Sequence, residues 1–141
     1  MRLARHILVA SDFSEASKGA VETARDYART LGAQLTLLHV YAPQIDPLAP
    51  ANLAESLRIG HEVHEALAAL KDRARGVEHL HTDVVAARDV PGTICDYAQT
   101  HGADLIVVGS HGLTGIKRML IGSVAERVAR HASCAVLIVR G

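Results

Sequence analysis

Tryptophan is absent from this sequence, and its few aromatics, Phe13, Tyr27, Tyr41 and Tyr97, are scattered along 141 positions. A surface that stacks nucleic-acid bases needs clustered aromatic rings, so that function class is excluded. Charge of one sign is lacking too: 15 Lys and Arg balance 15 Asp and Glu. No basic stripe is available to hold a phosphate backbone, so nucleic acid is not an expected partner. Cysteine occurs only at 95 and 134, each among apolar neighbours. That excludes a disulfide scaffold and reads as two core thiols in a reducing compartment. No apolar run is long enough to cross a bilayer, and Met1–His6 leads into a strand without the apolar core of a signal peptide. The expectation is a cytoplasmic protein with no membrane partner.

Half of the sequence is hydrophobic. With aromatics scarce, the core must be built from Ala, Val, Leu and Ile, which suits helices packed on a parallel sheet. The length fits one domain, expected to span 1–141.

Short apolar runs alternate with helical patterns. His6–Ala10 reads as a first strand. Asp12 or Ser14 is placed to cap the helix that follows, and Glu15 stands three residues beyond Asp12 as in a capping box. Ala16, Ala20, Ala24, Ala28 and Leu31 give that helix its inner face, and Gly32 stops it. Gln34–Tyr41 is a second strand. A loop carrying Pro43, Pro47 and Pro50 leads to a helix over about 51–75, with Leu53, Leu57, His64, Leu67 and Leu70 on one side and Gly76 at its end. The alternating stretch 79–87 reads as an edge strand. Asp89-Val-Pro-Gly opens a third helix whose inner face is Ile94, Tyr97 and Ala98, and Gly102 stops it. Asp104–Val108 and Ala135–Val139 are the last strands, with a helix over 123–131 between them. The expected fold is therefore α/β, doubly wound, with a five-stranded mostly parallel sheet and helices on both faces.

In such a fold a ligand sits beyond the carboxyl ends of the strands, where strand order reverses. If strands one and four flank that point, the loop bearing Ala10, Ser11 and Asp12 meets the segment Gly109-Ser-His-Gly-Leu-Thr-Gly-Ile-Lys-Arg-Met-Leu-Ile-Gly-Ser123. Val40, at the end of strand two, lies next door. The glycines at 109, 112, 115 and 122 admit close backbone approach. Lys117 and Arg118 are its only formal charges, and Gly122, Ser123 and Val124 begin a helix whose free N–H groups favour an anion. Ser123 is read either as that helix's cap or as a phosphate donor, and Asp12 as a cap or a ligand of sugar hydroxyls. His111 lies in the loop and is read either as a ligand contact or as a solvent-exposed loop residue. There is no Gly-Lys pair, so this is not a P-loop, and no G-x-G-x-x-G turn.

The spacing Gly109-x2-Gly112-x9-Gly122-Ser123 resembles the nucleotide-binding motif of the universal stress protein family. Ile7–Ser14, Leu37–Val40, Ala103–Gly112 and Gly122–Val128 resemble that family's segments in order. The resemblance implies an adenine nucleotide, ATP, with any Mg2+ held through its phosphates. It places Asp12 and Val40 at adenine and ribose, Val108, Gly109 and Gly112 along ribose and phosphates, and Gly122, Ser123 and Val124 at the phosphates. The sequence departs from the family at Ala10 and Ala135, where proline is common. The resemblance also implies a homodimer through the final strand, Ala135–Val139, which would otherwise leave an apolar edge. The expected function is a nucleotide-responsive stress or signalling module. The alternatives are a slow ATP-hydrolysing or autophosphorylating enzyme and a nucleotide-free, chaperone-like dimer. No catalytic residue is expected, because no base stands with paired carboxylates near the loop. No metal site is expected either. His61-Glu-Val-His64 is one residue short of a zinc helix, and His79 and His81 lack a third ligand.

Overall fold

A computed structural model describes residues 3–41, 53–111 and 121–140, with 53–59 described by backbone alone. Its elements are β1 (His6–Ala10), α1 (Glu15–Leu31), β2 (Gln34–Tyr41), α2 (Leu53–Arg73), β3 (Leu80–Ala86), α3 (Val90–Thr100), β4 (Leu105–Gly109), α4 (Ser123–His131) and β5 (Ala135–Val139). The strands form one sheet in the order β3-β2-β1-β4-β5, and every neighbouring pair is parallel. Val9 stands in register with Leu37 on one side and Val107 on the other. The chain therefore winds outward from β1 to β3, crosses back to β4, and winds outward again to β5. The reversal falls between β1 and β4.

Strand periodicity divides the core into two layers. Ile7, Val9, Leu35, Leu37 and Val107 point to one face, where Ala20, Val21, Ala24 and Ala28 of α1 and Leu70 of α2 cover them. Leu8, Leu38, Val40, Ile106 and Val108 point to the other, beneath Ile94 and Ala98 of α3 and Ala125 and Val128 of α4. The alanine stripe of α1 lets that helix lie close to the sheet. Cys95 and Cys134 are half-buried free thiols packed on the second layer. Burial, first among several causes, pushes both thiols above their ordinary pKa. They are protonated core groups, not poised nucleophiles.

Several helix ends differ from the sequence reading. Of the two caps the sequence offers for α1, Ser14 takes the role, its Oγ accepting from the Ser17 N–H at 3.3 Å. Glu15 is then the first helical residue, and no capping box forms with Asp12. Ser14→Ala is expected to lower stability by about 1 kcal/mol, read from urea or thermal unfolding. Gly32 does end α1 in the left-handed region, with φ 64°. The second helix ends at Arg73, ahead of Gly76, and His64 is exposed where Leu70 is buried. Asp89 caps α3 as expected, its Oδ1 accepting from the Gly92 N–H.

His6 bridges the N-terminal ends of two strands. Its Nδ1 donates to the His101 carbonyl (3.1 Å), which leaves Nε2 to accept from the Thr36 hydroxyl (2.8 Å). Burial, the largest cause, lowers its pKa below the usual 6.5. The unfolded chain therefore takes up this proton at a higher pH than the folded one. The His6 contribution is fully present above about pH 6.5 and is lost as pH falls through the lowered folded value. A urea series from pH 7.5 downward is expected to show that fall, with a shallower slope in His6→Gln.

Candidate functional site

At the β1/β4 reversal the chain leaves both strands and opens a cleft of about 260 Å³. It is lined by Ala10, Ser11, Asp12, Ser17, Val40, Val90, Ile94, Val108, Gly109, His111, Gly122, Ser123, Val124 and Ala125. Every site residue expected from the sequence that falls within the described chain lies on this wall. Gly112, Lys117 and Arg118 lie outside the described residues. Sequence reasoning missed Ser17, Val90, Ile94 and Ala125. Ile94 carried a core signal only, since the second apolar layer, which also holds Ala125, borders the cleft as well.

Ser11 is an anchor more than a donor. Its N–H donates to the Leu38 carbonyl at 2.9 Å, and its carbonyl accepts from Nδ1 of His39 at 2.7 Å. Its Oγ accepts from the Phe13 N–H at 3.0 Å. The Ser17 hydroxyl gives its single proton to the Ser14 carbonyl, so across the 3.0 Å Ser11–Ser17 contact Ser11 must be the donor. Asp12 accepts from the Ser14 N–H through Oδ1 at 3.0 Å, an Asx turn. Phe13 then adopts φ 66°, the one positive value among the described non-glycine residues.

Two of the glycines make room for backbone. A Cβ on Gly109 would stand 3.2 Å from the Ala16 carbonyl oxygen, so this glycine lets α1 pass close to β4. A Cβ on Gly122 would stand 3.1 Å from the Ser110 oxygen and 3.2 Å from the Cα of His111. The Gly122 N–H donates to that same Ser110 oxygen. The segment that leaves at Ser110 thus returns to it at Gly122, where α4 begins.

Gly122 is the N-cap of α4, and it offers no side-chain cap. Ser123 is the first helical residue, which corrects its reading as a cap. Its N–H and those of Val124 and Ala125 have no intrahelical partner, because the first helical bond runs from Glu126 to the Gly122 carbonyl (3.0 Å). All three residues line the cleft, and Ser123 is exposed. The wall holds one carboxylate, Asp12, and among the described residues no lysine or arginine. Its positive pole is backbone. His111 adds a ring whose Nδ1 lies 3.1 Å from the Ser110 hydroxyl. The arrangement is apolar at the base, acidic on one rim and rich in free N–H groups on another. That combination suits a ligand with a flat apolar part, hydroxyls and an anionic end. Among the described residues no three His, Cys, Asp or Glu side chains converge as metal ligands, and no helix is long and apolar enough to cross a membrane.

The Universal stress protein family matches residues 4–140. A universal stress protein of Methanocaldococcus jannaschii is 35% identical, over 98% of this chain and 83% of its own length. One of Bacillus subtilis, YxiE, is 33% identical over 95% and 97%. Among solved structures, a universal stress protein in complex with cAMP is 28% identical, covers 99% of both chains and superposes with a TM-score of 0.77.

Proposed function

This chain belongs to the universal stress protein family, and from that premise we propose that it binds an adenine nucleotide in the cleft between β1 and β4. The observation that carries the reading is the uncapped N-terminus of α4, opening onto a cleft with an apolar floor. The phosphates belong at the N–H groups of Ser123, Val124 and Ala125, with the Ser123 hydroxyl beside them. The base belongs against Val40, Val90 and Val108, and the ribose hydroxyls at Asp12. The solved relative that holds cAMP supports the adenine class. ATP is the physiological ligand in this reading, with any Mg2+ carried on its phosphates. The protein acts as one cytoplasmic domain that pairs with a second copy along β5 and reports nucleotide occupancy to a partner.

Calorimetry with AMP, ATP and cAMP tests it. Saturable binding of at least one of the three is expected. No heat from any of them at millimolar concentration sinks the reading. Asp12→Ala is expected to weaken binding about tenfold, through loss of charge-assisted hydrogen bonds to the sugar. Unchanged affinity with lowered stability would reduce Asp12 to a turn former.

A further inference from the structure

Resting on the nucleotide reading, we propose that His39 is a positioning residue for that site, acting through the turn at Ser11–Ser14 and never touching the ligand. His39 lies on β2 one residue before Val40. Strand alternation turns Val40 toward the cleft and His39 toward the opposite layer, and His39 is not part of the cleft wall. It is buried, with 8% of its surface exposed. Even so, it grips the ligand turn in two places. Nδ1 donates to the Ser11 carbonyl at 2.7 Å, and because a carbonyl only accepts, Nδ1 must carry the proton. Its imidazole also stacks on the Phe13 ring, with centroids 4.1 Å apart and planes at 29°.

Phe13 is the residue held at φ 66°. A bulky side chain enters that region only when its surroundings compel it. Beside the turn's own bonds to Ser11 Oγ and Asp12 Oδ1, the His39 ring supplies two restraints from outside it, one ahead of the turn at Ser11 and one upon Phe13 itself. Asp12 lies between the two held points, and Ala10 lies just before them. The direction in which Asp12 faces the cleft is thus set from the far side of the sheet. A tenfold change in a binding constant is the work of one such hydrogen bond.

The test uses the full chain and two readouts. In His39→Leu the Kd for AMP is expected to rise about tenfold. Hydrogen exchange of the Phe13 and Ser14 amides, which bond within the turn, is expected to accelerate by about the same factor, with Leu8 and Val9 of β1 unchanged. Phe13→Ala removes the stack from the other side and is expected to shift both readouts in the same direction, so the inference stands testable if His39→Leu does not fold. His39→Asn restores a donor toward the Ser11 carbonyl and is expected to recover part of the affinity. Unchanged exchange at Phe13 and Ser14, or acceleration spread equally through β1, overturns the inference. If wild type binds none of AMP, ATP and cAMP, the nucleotide reading fails by itself, and the exchange of those two amides still decides whether His39 holds the turn.

Discussion

Gly122→Val is expected to weaken nucleotide binding by about a hundredfold or more while the chain still folds. The cause is local crowding. The φ of Gly122 is −64°, a value that any residue adopts, so backbone preference is not at stake. What stands in the way is backbone: a Cβ here would meet the Ser110 oxygen at 3.1 Å and the His111 Cα at 3.2 Å. Neither atom can swing aside as a side-chain end does. Valine adds two further methyl groups to that point. The two chain segments that meet there must part, the hydrogen bond from the Gly122 N–H to Ser110 is lost, and the first turn of α4 shifts. The donors aimed at the phosphates shift with it. Calorimetry with ATP beside a circular-dichroism melt separates the two effects. Retained affinity would show that the close contact between Gly122 and Ser110 does not set the α4 donors. Gly122→Ala, with a single methyl group, is expected to fall between.

Leu8→Ala carries the largest expected cost in stability. Leu8 lies on β1, the central strand, is fully buried, and stands in register with Thr36 and Ile106. It belongs to the layer shared by Ile94, Ala98, Ala125 and Val128. Strands on both sides and helices above leave little room for collapse around the lost methyl groups, so about 3 kcal/mol of stability goes with them. For a chain of this length that is a fall in Tm of roughly 10 °C. Urea unfolding checks it, and a loss below about 1 kcal/mol would mean that the layer repacks freely.

The layers were legible because their signals are redundant. Apolar runs repeat at strand length, the alanines of α1 recur at helical spacing, and Gly32 and Asp89 mark helix ends by distinct chemistry. The edge position of β3 followed from its weaker, alternating pattern. The strand order was an assumption about the fold, and the sheet bears it out. Misreadings cluster where one residue type serves two purposes. Asp12 and Ser14 are both good caps, and only the register of α1 decides between them. Glycine reads the same whether it makes room for a ligand or for another backbone, and Gly109 makes room for Ala16. Ile94 looks like core because it is core, and it borders the cleft because the first turns of α3 line that wall. The link between Ser11 and His39 gave no signal at all, since it is a hydrogen bond between segments 28 residues apart.

The contact between Ser110 and Gly122 ties the end of β4 to the start of α4. Donor and acceptor are both main chain, so no side-chain substitution elsewhere removes either one. A pull exerted on the first turn of α4 by a bound anion is thus passed to the end of β4 without any side chain in between, and the sheet itself bears the load.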